Sequence, residues 1–266
     1  MVVVVPRAPD SVAAVRGTLA GEPLHFARDA AGVFRSLGGI PLAPGAGDTA
    51  ALEVVLERAG DAAPETVHVA VIARPRAAGA ERLATAPQFA EPPDSALAAR
   101  LRAERERVQE VLRRAHETPR LWHARFLRPR PGRITSRFGA AREFNGELES
   151  RHLGVDVAAP PGAPVRAANR GVVALVADLY YSGRAVFLDH GAGLVTGYFH
   201  LSRADVQPGD TVARGQVIGR AGATGRVTGP HLHWSATYGR VSVDPLDLLR
   251  LDPRELAAPP APPVSP

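Results

Sequence analysis

Through most of the chain, apolar residues come in short runs broken by clusters of Gly, Pro and Asp. That rhythm predicts many short strands rather than long helices. In residues 1–90 the stretches Val2–Val5, Ala51–Leu56 and Val67–Ile72 read as strands, and Leu24–Leu37 holds a turn plus a strand. Seven or so short strands in this span predict a small β-rich domain built like an immunoglobulin-type sandwich.

The pattern changes at Asp94. Leu97, Leu101, Val108, Val111 and Leu112 recur at helical spacing, Asp94 or Ser95 can cap the run, and Thr118-Pro119 ends it. The other face alternates Arg and Glu, as in Arg102, Glu104, Arg105, Glu106 and Arg107, which a solvated helix face explains. Residues 94–127 are therefore expected to be a helical connector. At Arg128 the pattern shifts again, with Pro129, Pro131 and Gly132 marking a boundary. Strands are expected at Val155–Val157, Gly171–Ala177, Ala185–Leu188, Gly193–His200, Gly215–Gly219 and His231–Thr237, which makes 128–250 a second β domain. Residues 252–266 are a Pro/Ala-rich tail expected to be disordered. The expected fold class is mainly β: a sandwich-like domain, a connector, and an antiparallel sheet domain.

Composition narrows the chemistry. The chain has 266 residues, enough for two domains, with a globular balance of 45% hydrophobic and 22% charged residues. It contains no Cys, which excludes a thiolate nucleophile, a disulfide framework and a Cys-held metal. Any metal must be bound by His and carboxylate. The formal charge is +5 and every basic residue is Arg. A GC-rich genome or attraction to an anionic polymer would each account for that. Nucleic acid is not the expected partner, because aromatics are only 5% and no basic run is interleaved with them. The opening Met-Val-Val-Val-Val is interrupted by Pro6, Arg7 and Asp10 too early for a signal core or a membrane span.

Three segments carry His in arrangements that ask for an explanation. In His152-Leu-Gly-Val-Asp156, an extended chain would put His152 and Asp156 on one face, with Gly154 leaving room between them. In His231-Leu-His233, the spacing of two points both imidazoles the same way along a strand. Catalytic zinc uses three ligands of His/Asp/Glu type and keeps a fourth position open. His152, Asp156 and one member of the His231/His233 pair meet that count. The remaining imidazole and His200, in Tyr198-Phe-His200-Leu-Ser202, could serve as general base and oxyanion stabiliser. His25, His68, His116, His123 and His190 read as structural or as bystanders.

These residues sit in a longer ordered pattern. It runs through Arg137-Phe-Gly139, His152 to Val165, Leu188-Asp-His-Gly191, Tyr198 to Ser202, Gly209 to Gly219 and Thr224 to Trp234. Over residues 128–248 it resembles the lysostaphin/LytM-type zinc metalloendopeptidases, which hydrolyse peptidoglycan peptides. The resemblance implies one Zn²⁺ held by His152, Asp156 and His233, with His200 and His231 as the unligated catalytic pair. It also implies a compact antiparallel sheet with the metal at the floor of a groove. The loop Ala141–Ser150, with Arg142, Asn145 and Glu147, and the loop residues Tyr180, Tyr181 and Ser182 read first as solvated loops, and second as segments that border that groove. Trp234-Ser235 departs from the Phe-Glu common in the family.

The expected function is zinc-dependent hydrolysis of peptide bonds in peptidoglycan stem peptides or cross-links by metal-activated water, in the bacterial envelope. The alternative from another class is a zinc-retaining module that binds or activates a different wall hydrolase.

Overall fold

The structure is a computed structural model, and it describes residues 2–4, 11–29, 31–42, 49–60, 63–72, 79–83, 87–89, 92–144 and 147–256. Residues 257–266 of the Pro/Ala-rich tail, and Asn145, lie outside the described residues, while residues 252–256 of that tail, expected to be disordered, form a turn with Leu256 in the main core.

The amino-terminal part contains β1 (Val2–Val4), β2 (Val12–Leu19), β3 (Glu22–Pro23), β4 (Ala27–Arg28), β5 (Phe34–Leu37), β6 (Thr49–Arg58), β7 (Glu65–Ile72) and β8 (Ala80–Leu83). Seven of these make two sheets, one ordered β1-β5-β4 and the other β3-β2-β6-β7. Val12 and Val15 of β2, Val54 of β6 and Phe34 of β5 share one buried cluster, so the two sheets close on each other through their apolar faces. The eighth strand, β8, leaves this unit and pairs elsewhere.

Helix α1 (Ser95–Arg114) begins where the sequence pattern placed it, with the Asp94 carboxylate accepting from the Leu97 N–H at 2.7 Å. One side of its carboxy-terminal half packs on the sheet that follows. Leu112 and Ala115 pack with Leu175, Leu179, Phe187, Val195 and Phe199.

The second part contains β9 (Ile134–Ser136), β10 (Ala141–Phe144), β11 (Glu147–Arg151), β12 (Val155–Ala158), β13 (Pro164–Arg166), β14 (Gly171–Leu179), β15 (Gly183–Asp189), β16 (Leu194–Ala204), β17 (Thr211–Val212), β18 (Val217–Ala221), β19 (His231–Tyr238) and β20 (Val241–Val243). The short helix α2 (Pro245–Leu248) follows. Ten of the strands form one sheet, whose main path is β17-β14-β15-β16-β19-β12-β9. The mainly β class therefore holds.

Strict alternation explains the centre of this sheet. Along β19, Leu232, Trp234, Ala236 and Tyr238 are buried while His231, His233, Ser235 and Thr237 are only partly so. Leu232, Trp234 and Ala236 enter the main core with Tyr198, Leu188, Leu201, Trp122 and Phe126. The polar half of the pattern is thus left on the opposite face, the one on which α1 packs farther along.

Two expectations change. The segment Ala141–Ser150, expected as a loop, contains β10 and β11 paired antiparallel, and β8 adds to β10 in parallel. The sequence there is too polar to show the alternation by which strands are recognised. The sheet-order pairing, with a partner some sixty residues away, supplies the missing order. His116, read among the bystanders, is not one: its Nδ1 lies 2.9 Å from Nε2 of His25 and its Nε2 lies 3.2 Å from Glu22. This chain of polar groups ties β3 to the end of α1.

Candidate metal centre

Strand register builds the site. Asp156 of β12 stands directly opposite His233 of β19, and Ala158 stands opposite His231. Directly paired residues on antiparallel strands place their side chains on one face a few ångströms apart. The Asp156 Oδ1 accordingly lies 2.7 Å from His233 Nδ1. His152 arrives differently from the expected alternation. It precedes β12, and the chain bends at Gly154 before the strand begins. Backbone bonds from Gly139 N to His152 O and from His152 N to Ala140 O, each 2.8 Å, hold the residue in place. Its Nε2 comes to 2.9 Å from His233 Nδ1 and 3.1 Å from Asp156 Oδ1. Gly154 permits the approach, since a Cβ there would fall 2.5 Å from His233 Nε2.

The three atoms form a triangle of sides 2.7, 2.9 and 3.1 Å. A tetrahedral zinc with bonds near 2.0–2.1 Å separates its ligands by about 3.3 Å, so the triangle is slightly contracted and of the right shape. Its donors are the kinds zinc accepts. His152 Nδ1 lies 3.0 Å from the Arg137 carbonyl and 2.6 Å from Ser136 Oγ. A carbonyl only accepts, so Nδ1 carries the proton and Nε2 turns a lone pair to the centre. Burial would raise the Asp156 carboxyl, but the imidazoles of His152 and His233 beside it outweigh that and hold it well below the usual carboxylate range. Converging lone pairs and a carboxylate suit a cation at their centre. Among the described residues, His152, Asp156 and His233 are the group of His, Asp and Glu side chains so gathered.

His200 and His231 stand beside this triangle with ring centroids 4.8 Å apart. At His200 the strand changes partners. β16 is paired with β19 up to Phe199 and with β18 from Leu201 onward. The pivot has a left-handed backbone, φ 59°, which non-glycine residues rarely adopt and which costs on the order of 1 kcal/mol or more. The His200 N–H donates to Ser182 O at 3.0 Å, and its Nδ1 donates to Thr224 O at 2.8 Å. His231 Nδ1 donates to Gly229 O, also at 2.8 Å, and its Nε2 is 3.6 Å from Asp156 Oδ1. Both rings thus have Nδ1 anchored on a carbonyl and Nε2 left as an acceptor. Burial first, then the neighbouring His233 and His231, pushes His200 down to about 3, so its ring is neutral at physiological pH.

All five expected site residues are brought together. Of the candidate loop residues, Arg142 reaches the site itself and Tyr181 packs on a residue that lines the hollow beside it. Arg142 extends from β10 to within 2.8 Å of Asp156 Oδ2, and its Nε lies 3.6 Å from Glu81 of β8. The Tyr181 ring lies under the Arg226 guanidinium at 4.7 Å. His190 does not take part. It is fully buried, with Nδ1 2.7 Å from Arg170 O and Nε2 2.8 Å from Thr196 Oγ1. Sequence reasoning missed Ser136, the hydroxyl behind His152. Its only signal is its place just before Arg137-Phe138-Gly139.

Two hollows border this site. One, of about 620 Å³, is lined by Asp156, His200 and His231 together with several arginines. The other, of about 280 Å³, runs between α1 and the sheet from His233 past Phe199, Phe187 and Leu112. The helix is therefore one wall of a groove that ends at the candidate metal centre.

Comparison with known proteins agrees with this geometry. The family model for peptidase family M23 matches residues 150–245. Peptidoglycan DD-endopeptidase ShyC of Vibrio cholerae is 38% identical over 115 residues, 42% of this chain and 26% of that protein. Peptidoglycan DD-endopeptidase ShyA of the same organism is 48% identical over 83 residues, 31% of this chain and 19% of that protein. The chain thus spans about a fifth to a quarter of the length of these relatives. A crystal structure of a peptidase M23 from Pseudomonas aeruginosa matches 93% of this chain and 92% of its own, at a TM-score of 0.68 and 28% identity. Register, donor set and sequence likeness converge on one part of the chain: residues 150–245, which match peptidase family M23, contain His152, Asp156, His200, His231 and His233.

Proposed function

We propose that the chain is a zinc-dependent endopeptidase that hydrolyses peptide bonds in peptidoglycan stem peptides or cross-links. The observation that carries this reading is the convergence of His152 Nε2, Asp156 Oδ1 and His233 Nδ1 beside a second, unligated imidazole pair. His152, Asp156 and His233 hold the metal. When bound, zinc supplies Lewis acidity toward the scissile carbonyl and the attacking water.

The remaining chemistry belongs to His200 and His231. Each has its Nδ1 proton fixed on a backbone carbonyl, so each offers an unprotonated Nε2 to the cleft. One such ring accepts a proton as the water attacks and, once protonated, returns it to the leaving amine. While it holds the proton taken from water, that same ring donates its Nε2–H to the developing oxyanion, which makes a catalytic carboxylate unnecessary. The anchoring carbonyls keep both rings from turning, so little reorganisation is needed during reaction. Arg142, on Asp156 Oδ2, neutralises the oxygen that does not face the other two ligands and fixes the carboxylate plane.

Relatives named as peptidoglycan DD-endopeptidases support the substrate class and a site of action in the bacterial envelope. No helix among the described residues is long and apolar enough to cross a membrane. The reading is tested by incubating the zinc-loaded chain with purified peptidoglycan and identifying the soluble products by mass spectrometry. Fragments cut at a peptide bond, lost with chelator and regained with zinc, are expected. Release only when another hydrolase is present would overturn it in favour of a regulatory module.

A further inference from the structure

His200 sits in the sheet as an inserted residue. β15 pairs with β16 through Val186 opposite Tyr198 and Arg184 opposite Leu201, so Ala185 alone faces two residues of β16, Phe199 and His200. Such a bulge interrupts the ladder and re-aims a side chain. It also leaves backbone groups beside it without their usual partners, and something must satisfy them.

Thr224, in the loop between β18 and β19, does so. Its Oγ1 accepts from the Arg184 N–H at 2.9 Å and donates to Leu201 O at 2.9 Å. The hydroxyl thus bridges the two residues that face each other next to the bulge, and Leu201 directly follows His200. The carbonyl of the same residue accepts from His200 Nδ1 at 2.8 Å. One residue therefore holds both the strand beside the bulge and the imidazole that the bulge projects. The turn between β14 and β15 fixes its place. Gly183, with φ 62°, lies so close that a Cβ there would fall 2.3 Å from Thr224 Oγ1 and 2.4 Å from Thr224 O. A Cβ on the next loop residue, Gly225, would fall 2.4 Å from Gly183 N.

We infer that Thr224 is a positioning residue for His200, its hydroxyl fixing the loop carbonyl on which the Nδ1 proton rests. The inference rests on the peptidase reading and deepens it. His200 presents Nε2 to the cleft as an acceptor only while Nδ1 keeps its proton on Thr224 O. Without the hydroxyl the carbonyl loses its tie to β15 and β16. The ring then turns or takes the other tautomer in part of the molecules, and the acceptor is lost in those.

The test compares the zinc-loaded full chain with Thr224→Val, which keeps the shape and lacks the hydroxyl, and with Thr224→Ser, which keeps the hydroxyl. On soluble cross-linked muropeptides, Thr224→Val is expected to lose about 10- to 100-fold in kcat with KM nearly unchanged, as displacement of a reacting group does. Thr224→Ser is expected to restore most of the rate. Nitrogen-15 spectra of the imidazoles, with the His200 signals identified by their loss in His200→Ala, give a second readout. They are expected to show one Nδ1-protonated tautomer for His200 in the unsubstituted chain and in Thr224→Ser, and a mixture in Thr224→Val. An unaltered kcat or an unaltered His200 tautomer in Thr224→Val would overturn the assignment. So would failure of that variant to fold or to bind zinc, since either makes Thr224 a support of the fold as a whole. The spectra need no substrate, so failure of the peptidase reading shows separately, as absent hydrolysis by the unsubstituted chain with the tautomer contrast intact.

Discussion

Asp156 and His233 face each other across neighbouring antiparallel strands, and the carboxylate Oδ1 lies 2.7 Å from the imidazole Nδ1. The pair depends on register. A slip of one residue between β12 and β19 would send one of the two side chains into the core. The alternation of Leu232, Trp234 and Ala236 into the main core prevents that slip.

Because His233 completes the metal triangle while His200 only stands beside it, the two substitutions should separate. His233→Ala is expected to bring the zinc content from about one per chain to near zero. His200→Ala is expected to keep its zinc and lose about 10²–10⁴-fold in peptide hydrolysis, the usual range for a positioned acid–base group. Elemental analysis beside a hydrolysis assay distinguishes them. Equal zinc loss in both variants would contradict the assignment.

Gly154 should tolerate no side chain. A Cβ at this position would lie 2.5 Å from His233 Nε2 and 2.7 Å from Trp234 O, and the second is backbone. Gly154→Ala is expected to cost about 1–3 kcal/mol of stability, as overpacking does, and to weaken zinc binding by displacing the imidazole. Thermal unfolding with and without zinc measures both effects. A variant with unchanged Tm and unchanged zinc affinity would show that the strands separate freely here.

Much of the site was legible because it rests on short-range rules. The two-residue spacing of His231 and His233 puts both on one face of β19, as period-two alternation requires. The Asp94 cap and the apolar spacing of α1 are equally local. Spacing could not say which of His231 and His233 sits opposite Asp156, because register is a long-range property. Nor could it show the β10–β11 hairpin or the addition of β8, whose polar strands carry no hydrophobic signal. The convergence of His152 and Asp156 was expected for an incomplete reason. A bend at Gly154, not an unbroken strand, brings them together.

Acid should destabilise the fold through His190. Burial, partly offset by its bond to the Arg170 carbonyl, lowers its pKa from 6.5 to about 4. Between those values the unfolded chain binds a proton that the folded chain does not. Its contribution is therefore complete above pH 6.5, declines as pH falls, and levels off near pH 4, with a slope of at most about 1.4 kcal/mol per pH unit. Denaturant unfolding at several pH values should show a shallower decline for His190→Gln than for the unsubstituted chain. An identical pH slope in the two would contradict the assignment.

The groove wall formed by α1 should matter for substrate and not for metal. Leu112 packs with Phe187 and Phe199 at the end of the hollow that reaches His233. Leu112→Ala is expected to cost about 2–4 kcal/mol of stability and to raise KM for peptide substrates, with zinc content unchanged. Steady-state kinetics together with elemental analysis check this, and a loss of zinc would tie the helix to the metal centre itself.

The most direct measurement is anomalous diffraction at the zinc absorption edge from crystals grown with the metal. One peak is expected, bonded to His152 Nε2, Asp156 Oδ1 and His233 Nδ1, with His200 and His231 outside bonding distance. A peak that lies elsewhere, or that persists undiminished in crystals of His233→Ala, would contradict the account.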